Sequence, residues 1–328
     1  MVQEANAADI PLRCRGQGHS LNGATLPAQG EVLLSMRELR DVRFAARGTV
    51  TAGAGTVLWV LQAELRRRGF DLPVLNDGYA GPTLGGYLAA GGFGPQSRLH
   101  GGFWDNVLSV RFVDGAGRLR EARPGEPLFA WLFGSMGQLG VIVEATLAVV
   151  PSGRAAPYPL GAALQAPQLA GQHVPLQFAP PEAERLFWFT LFVPDGGLGE
   201  AQGALRALET RHAAALRFAE RYTYPIRFRG RVAPLVYPFA KAFTATGAWG
   251  WLAERGAAAV ERLLDFERDF MALALSRGDY RRYIQSELAG GPAAYEKCFG
   301  TQVYAQLRAL KDELDPRRIL NRGSVFDA

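Results

Sequence analysis

Six residues, Arg15-Gly16-Gln17-Gly18-His19-Ser20, constrain this chain more than any others. They follow a short apolar run, Ile10 to Cys14, and precede a second one at Val32, Leu33 and Leu34. A strand therefore enters a glycine turn and the chain returns toward another strand. Two glycines leave no Cβ in the way, so backbone N–H groups can approach an anionic ligand closely. Arg15 adds a cation beside the turn, and His19 stands where a flat cofactor could lie against the loop. A Gly-x-Gly turn alone equally fits an ordinary connection, so the rest of the chain has to decide.

Size and charge narrow the classes. The chain has 328 residues, of which 48% are hydrophobic, enough to bury two cores. Lys and Arg number 36 against 31 Asp and Glu, a net charge of +5. The arginines are scattered and no basic run alternates with aromatics, so nucleic-acid binding is unsupported, and an anionic cofactor accounts for the surplus. Cys14 and Cys298 are far apart, which argues against a disulfide framework and against zinc. No apolar stretch approaches a membrane span, and the N-terminus lacks a signal pattern. The expected partner is a small-molecule substrate, with no nucleic acid and no membrane; the oligomeric state stays open, and the default location is cytoplasmic.

Strand and helix signals alternate along the first half. Val2 to Ala8 reads as a helical turn feeding a strand at Pro11 to Arg15. Thr49 to Ala52 is a β-prone run, after which Thr56 caps a helix whose apolar residues Val57, Val60, Leu61 and Leu65 recur at helical spacing. Val107 to Val113 and Val141 to Val150 read as buried strands, with a short helix from Leu128 to Phe133 between them. The stretch from Gly153 to Pro181 reads as a linker. Beyond it come a strand (Leu186 to Val193), a helix (Leu198 to His212), a strand region (Leu216 to Phe228), a long helix (Leu252 to Leu275) and a last helix (Thr301 to Leu314) stopped by Pro316.

Glycine clusters mark a second special segment. Thr83-Leu84-Gly85-Gly86 opens a helical turn and is followed by Gly91-Gly92-Phe93-Gly94. A helix start at Thr83 presents unsatisfied N–H groups and a positive dipole end, a site for pyrophosphate; a glycine-rich surface loop is the plain alternative.

Four motifs, RGQGHSLNGA, TLGGYLAAGGFGPQSRLHGG, DNVLSVRFVDGAG and LFGSMGQLGVIVEATLAVVP, occur in the order and spacing of the PCMH-type FAD-binding domain of the vanillyl-alcohol oxidase superfamily. The chain resembles its cytokinin dehydrogenase branch most, strongly from Pro11 to Pro151 and patchily through LFWFTLFVP and DPRRILNRGSVF. The resemblance implies FAD as cofactor. Arg15, Gly16, Gln17, Gly18, His19 and Ser20 would wrap the pyrophosphate and flavin edge, with His19 at the position that bonds covalently to the flavin 8α-methyl group. Thr83, Gly85, Gly86, Ala89 and Phe93 match the pyrophosphate segment. Gly140, Val141 and Ile142 match the adenine end, and Tyr283 and the Asn321 to Ser324 turn match positions beside the isoalloxazine.

The family's strand-helix-strand piece ahead of the loop is largely absent, so the chain reads as N-terminally truncated. The family's proton-accepting aspartate aligns with Gly78, leaving Asp77 one position earlier as the catalytic candidate. No cysteine lies near Thr83, against the doubly attached flavin of the berberine-bridge branch. His100 reads as a base or as a loop histidine packing on Trp104. His173 and His212 read as solvated, Glu287 as flavin-facing or on an exposed turn, and Trp188, Phe189 and Phe192 as pocket lining or core.

The expectation is a two-domain α+β protein. A PCMH-type FAD-binding domain spans 1–151, a smaller α+β substrate domain 152–310, and the segment 311–328 returns to the flavin. The expected function is oxidation of a C–N bond of a cytokinin-like amine by hydride transfer to FAD. The alternatives are a sugar or alcohol oxidase of the same superfamily, or a truncated, cofactor-free paralogue that is not an enzyme.

Overall fold

A computed structural model describes the chain except for residues 21–22, 46–47, 76–80, 154–185, 230–231, 285–290 and 327–328. The first half opens with α1 (Val2–Ala7), β1 (Leu12–Arg15) and β2 (Val32–Ser35). The two strands run parallel with Leu12 opposite Val32, a pairing that needs the long crossover through residues 16–31 and that a tight turn could not make. On its other side Leu12 bridges Leu320, so the C-terminal segment lies beside β1.

Next come β3 (Val42–Ala45), β4 (Thr49–Gly53), α2 (Leu58–Arg67), β5 (Phe70–Asp71), α3 (Leu84–Ala89), α4 (Ser97–His100), β6 (Val107–Val113), β7 (Leu119–Ala122), β8 (Val141–Ala148) and β9 (Val150–Pro151). An antiparallel sheet forms in the order β3-β4-β8-β6-β7. Val50, Ala52, Val107, Val110, Phe112, Ala145 and Leu147 are buried on it, the period-two burial that alternating side chains give a sheet.

The second half holds β10 (Leu186–Val193), α5 (Leu198–His212), β11 (Leu216–Arg227), β12 (Ala242–Leu252), α6 (Ala257–Leu275), β13 (Arg281–Arg282), α7 (Gly291–Phe299) and α8 (Thr301–Leu314). Its sheet runs β11-β12-β10-β13. On one face Phe187, Phe189, Leu191 and Val193 meet Phe266 and Phe270 of α6 and Leu205 of α5 in a separate core. On the other, Phe192, Ile226, Phe243 and Ala245 join the core of the first half. Phe93 makes that junction, edge-on to Phe192 at 5.3 Å and to Tyr283 at 5.1 Å. The protein is thus α+β, with two sheets packed through aromatic side chains.

Several elements differ from the sequence reading. The long helix starts at Ala257, because Ala242–Leu252 is the strand β12. Thr56 does not cap α2: Val57 occupies the N-cap with no side-chain bond, and Thr56 instead uses its carbonyl to accept Leu84 N–H. Val60 is 50% exposed rather than on the apolar face. The turn at Phe129–Leu132 is a 3-10 helix. The expected linker lies almost wholly outside the described residues. Among the described residues no helix is long and apolar enough to cross a membrane.

Candidate functional site

The chain Cys14–Ser20 leaves the end of β1 and forms one wall of a cleft of about 840 Å3, counting its open mouth. Other walls come from Ala54, from Pro82–Ala90 around α3, from Met136–Ile142 ahead of and into β8, and from Asn321. Glycines open the space. A Cβ at Gly16 would stand 2.3 Å from Thr83 Oγ1, so the loop and the start of α3 touch only because Gly16 has none. Gly18 has φ +78° and lies under the Arg15 side chain, where a Cβ would come within 2.7 Å of Nη2. The guanidinium is thereby folded over the turn and into the cleft, and among the described residues it has no carboxylate partner. His19 rests on the backbone of Gly81, where a Cβ would come within 2.3 Å of Nε2.

The start of α3 differs from the bare anion site expected of it. Leu84 N–H donates to Thr56 O and Gly85 N–H to Ala54 O, both at 2.8 Å, and Gly86 N–H donates to Thr83 Oγ1 at 3.3 Å. The helix is seated on the Ala54–Thr56 turn, which uses its first N–H groups. What the segment offers the cleft is the exposed, Cβ-free backbone of Gly86, whereas a Cβ on Gly85 would stand 2.8 Å from that of Ala54.

The opposite wall is braced from the C-terminus. Asn321 Nδ2 donates to Gly137 O at 2.8 Å, while its Oδ1 accepts Cys14 N–H at 3.1 Å. Gln138 Nε2 donates to Asn321 O and to Ser324 Oγ. Beneath them Lys311 Nζ, fully buried, donates to Gln138 O at 3.1 Å and to Asp315 Oδ2 and Leu320 O at 2.7 Å. Burial draws its pKa down, and the Asp315 carboxylate opposes that. Arg13, also buried, pairs with Glu31 and donates to Arg322 O, tying the return of the glycine loop to the same C-terminal turn.

Arg15, Gly16, Gln17, Gly18, His19, Ser20, Thr83, Gly85, Gly86, Ala89 and Ile142 are all brought together in the cleft. Phe93, Tyr283 and Ser324 are not among its lining residues: the first two pack on each other at the junction of the sheets, and Ser324 is engaged by Gln138 and Asn321. Asp77, Glu287 and His173 lie outside the described residues. His212 is on α5, where it meets Asp269 at 3.0 Å, and Phe189 is core. Cys14, Met36, Ala54 and Met136 line the cleft without having been singled out in sequence. Met136 carried a signal, since it sits among three glycines at 134, 137 and 140 and has φ +53°, a conformation that favours glycine or asparagine. Burial pushes the Cys14 thiol up to about 12, against the pull of Arg13 and Lys311. Among the described residues no three His, Cys, Asp or Glu side chains group to hold a metal.

The donor set fits a flavin nucleotide. A cation and a Cβ-free loop stand at one end, apolar Val141 and Ile142 on another wall, and His19 with the α3 glycines between them. Residues 1–123 match the family described as an FAD binding domain. The chain is 42% identical over 154 residues to "Uncharacterized oxidoreductase ORF5 in fasciation locus" of Rhodococcoides fascians, covering 44% of this chain and 34% of that protein. It is 30% identical over 162 residues to a D-lactate dehydrogenase of Archaeoglobus fulgidus, covering 47% and 36%. It is 34% identical over 159 residues to cytokinin dehydrogenase 7 of Oryza sativa subsp. japonica, covering 45% and 29%. These matches span about a third of the length of the relatives.

Proposed function

From the premise that this chain carries the PCMH-type FAD-binding domain of the vanillyl-alcohol oxidase superfamily, we propose that it is an oxidoreductase acting on a C–N bond of a small organic amine of the cytokinin type. One observation carries the cofactor part: the segments from 14–20, 82–90 and 136–142 and Asn321, distant in sequence, converge on one cleft with Arg15 folded into it. The cytokinin dehydrogenase relatives support the substrate class.

Bound FAD supplies the acceptor for a hydride, which no side chain can. The residues of the chain do the rest. Arg15 and the backbone of Gly16 to Gly18 would hold the diphosphate, Val141 and Ile142 would lie at the adenine end, and Gly86 at the start of α3 would leave room for the cofactor. His19 would provide the imidazole nitrogen for covalent attachment, and Asp77 would take the proton lost by the substrate. C–O oxidation of a small hydroxy compound is the second reading, supported by the D-lactate dehydrogenase relative.

The visible spectrum tests the cofactor. Protein reconstituted with FAD is expected to be yellow, to keep its colour through acid precipitation, and to lose it to the supernatant in His19→Ala. A protein that stays colourless in excess FAD overturns the reading. Anaerobic mixing with isoprenoid adenines, simple amines, hydroxy acids, sugars and alcohols tests the substrate. Bleaching by amines, slowed about a hundredfold in Asp77→Asn, is the expected result; bleaching only by hydroxy compounds selects the second reading.

A further inference from the structure

Outside the cleft, the seam between the two sheets holds one titratable ring in an unusual setting. The α4 turn of the first half packs on β11 of the second, and Trp104 meets Phe228 edge-on at 5.2 Å in the same seam. His100 ends α4. Its carbonyl accepts Asn106 Nδ2 at 3.0 Å, which fixes the backbone. Both its ring nitrogens are buried, and among the described residues neither has a hydrogen-bond partner. A neutral imidazole needs one acceptor, whereas an imidazolium carries two N–H donors and a charge, and burying that charge without acceptors is far costlier.

The charged groups around the ring do not relieve this. Arg229, just past the end of β11, acts on it with the same sign as a protonated imidazole. Arg227 of β11 is turned to Asp195. On the ring's own element Arg98 is exposed. In the adjoining 3-10 turn (Phe103–Asn106), Asp105 Oδ2 accepts Gly102 N–H at 3.0 Å.

We propose that His100 is a proton-operated latch of this seam: neutral, it lets α4 lie closed on β11, and on protonation it turns to water and releases the two elements from each other. Desolvation first, and Arg229 second, lower its pKa, which agrees with closure at neutral pH and opening on acidification. The device rests on the seam alone and does not depend on the flavin reading.

Hydrogen exchange on the full chain, corrected for intrinsic rates, tests it at about pH 7.5 and about pH 5.5, on either side of the ordinary imidazole range. Peptides covering residues 97–106 and 216–228 of the wild type are expected to lose about threefold or more of their protection at the lower pH, where protonation favours the open form, while β4 and β8 keep theirs. His100→Phe, which keeps a ring without a titrating group, is expected to abolish that selective loss, and His100→Gln serves if the phenylalanine variant misfolds. A wild type with no selective loss, or variants that lose protection equally, would overturn the latch.

Discussion

The side-chain amide of Asn321 donates to the carbonyl oxygen of Gly137 at 2.8 Å, joining the C-terminal turn to the cleft wall 184 residues earlier. The same side chain accepts Cys14 N–H, so one residue holds two walls of the cofactor cleft at a fixed separation. Asn321 also has φ +50°, where asparagine is tolerated better than most side chains. Asn321→Leu removes both bonds and strains the backbone; a loss of about 2–4 kcal/mol is expected in urea unfolding, from two unpaired buried groups and the left-handed turn. Asn321→Asp keeps the acceptor for Cys14 N–H but sets a buried carboxylate against Gly137 O, so it should be destabilised as well.

Gly16 and Thr83 are in contact through the missing Cβ. Gly16→Ala is expected to push the loop off α3 and weaken FAD binding by about tenfold or more, since one displaced loop removes several weak contacts together. Far-UV circular dichroism should be unchanged, and titration with FAD followed by flavin fluorescence measures the loss.

Lys311 and Asp315 form a buried pair, 2% and 0% exposed. Lys311→Met leaves the Asp315 carboxylate without its cation, and about 3–5 kcal/mol of unfolding free energy is expected to be lost. The double variant Lys311→Met/Asp315→Leu should lose less than the sum of the two single changes, as a denaturation cycle would read out.

Asp269 supplies a pH dependence with a definite sign. The hydrogen bond from His212, then that from Arg211, holds its carboxyl below the usual value of 3.8. Its contribution to stability is present above 3.8 and is lost as pH falls through the lower folded value. Wild type and Asp269→Asn should therefore differ most at neutral pH and converge in strong acid, in unfolding curves measured across that range.

Burial pushes both thiols up, Cys14 to about 12 and Cys298 to about 11. A thiol reagent near neutral pH should label neither in the native protein and both, two per chain, after unfolding.

Local pattern decided much of the fold. The strand Leu186–Val193 and the helices Leu198–His212 and Thr301–Leu314 have the bounds their apolar runs and breakers suggest, because hydrophobic period and terminal glycine or proline act within a few residues. β12 was illegible for a tertiary reason. Its Gly247 and Gly250 lower its strand propensity, yet a Cβ there would stand 2.0 Å from Phe189 O and 1.9 Å from Arg217 O. Glycine is demanded by the neighbouring strands and not by the segment itself.

The site divides in the same way. The glycine loop after β1, the Thr83 to Gly86 turn and the FAD-binding family follow from short stretches of chain, because a loop that admits a phosphate needs particular residues in sequence. That Cys14, Met36 and Met136 share the cleft with them, that the first N–H groups of α3 are used by the Ala54–Thr56 turn, and that Phe93 and Tyr283 meet at the junction of the sheets were decided only when distant segments packed. Sequence carries what one segment requires of itself; which groups end up facing one another, and which polar atoms are already paired, depends on surfaces that exist only in the folded chain.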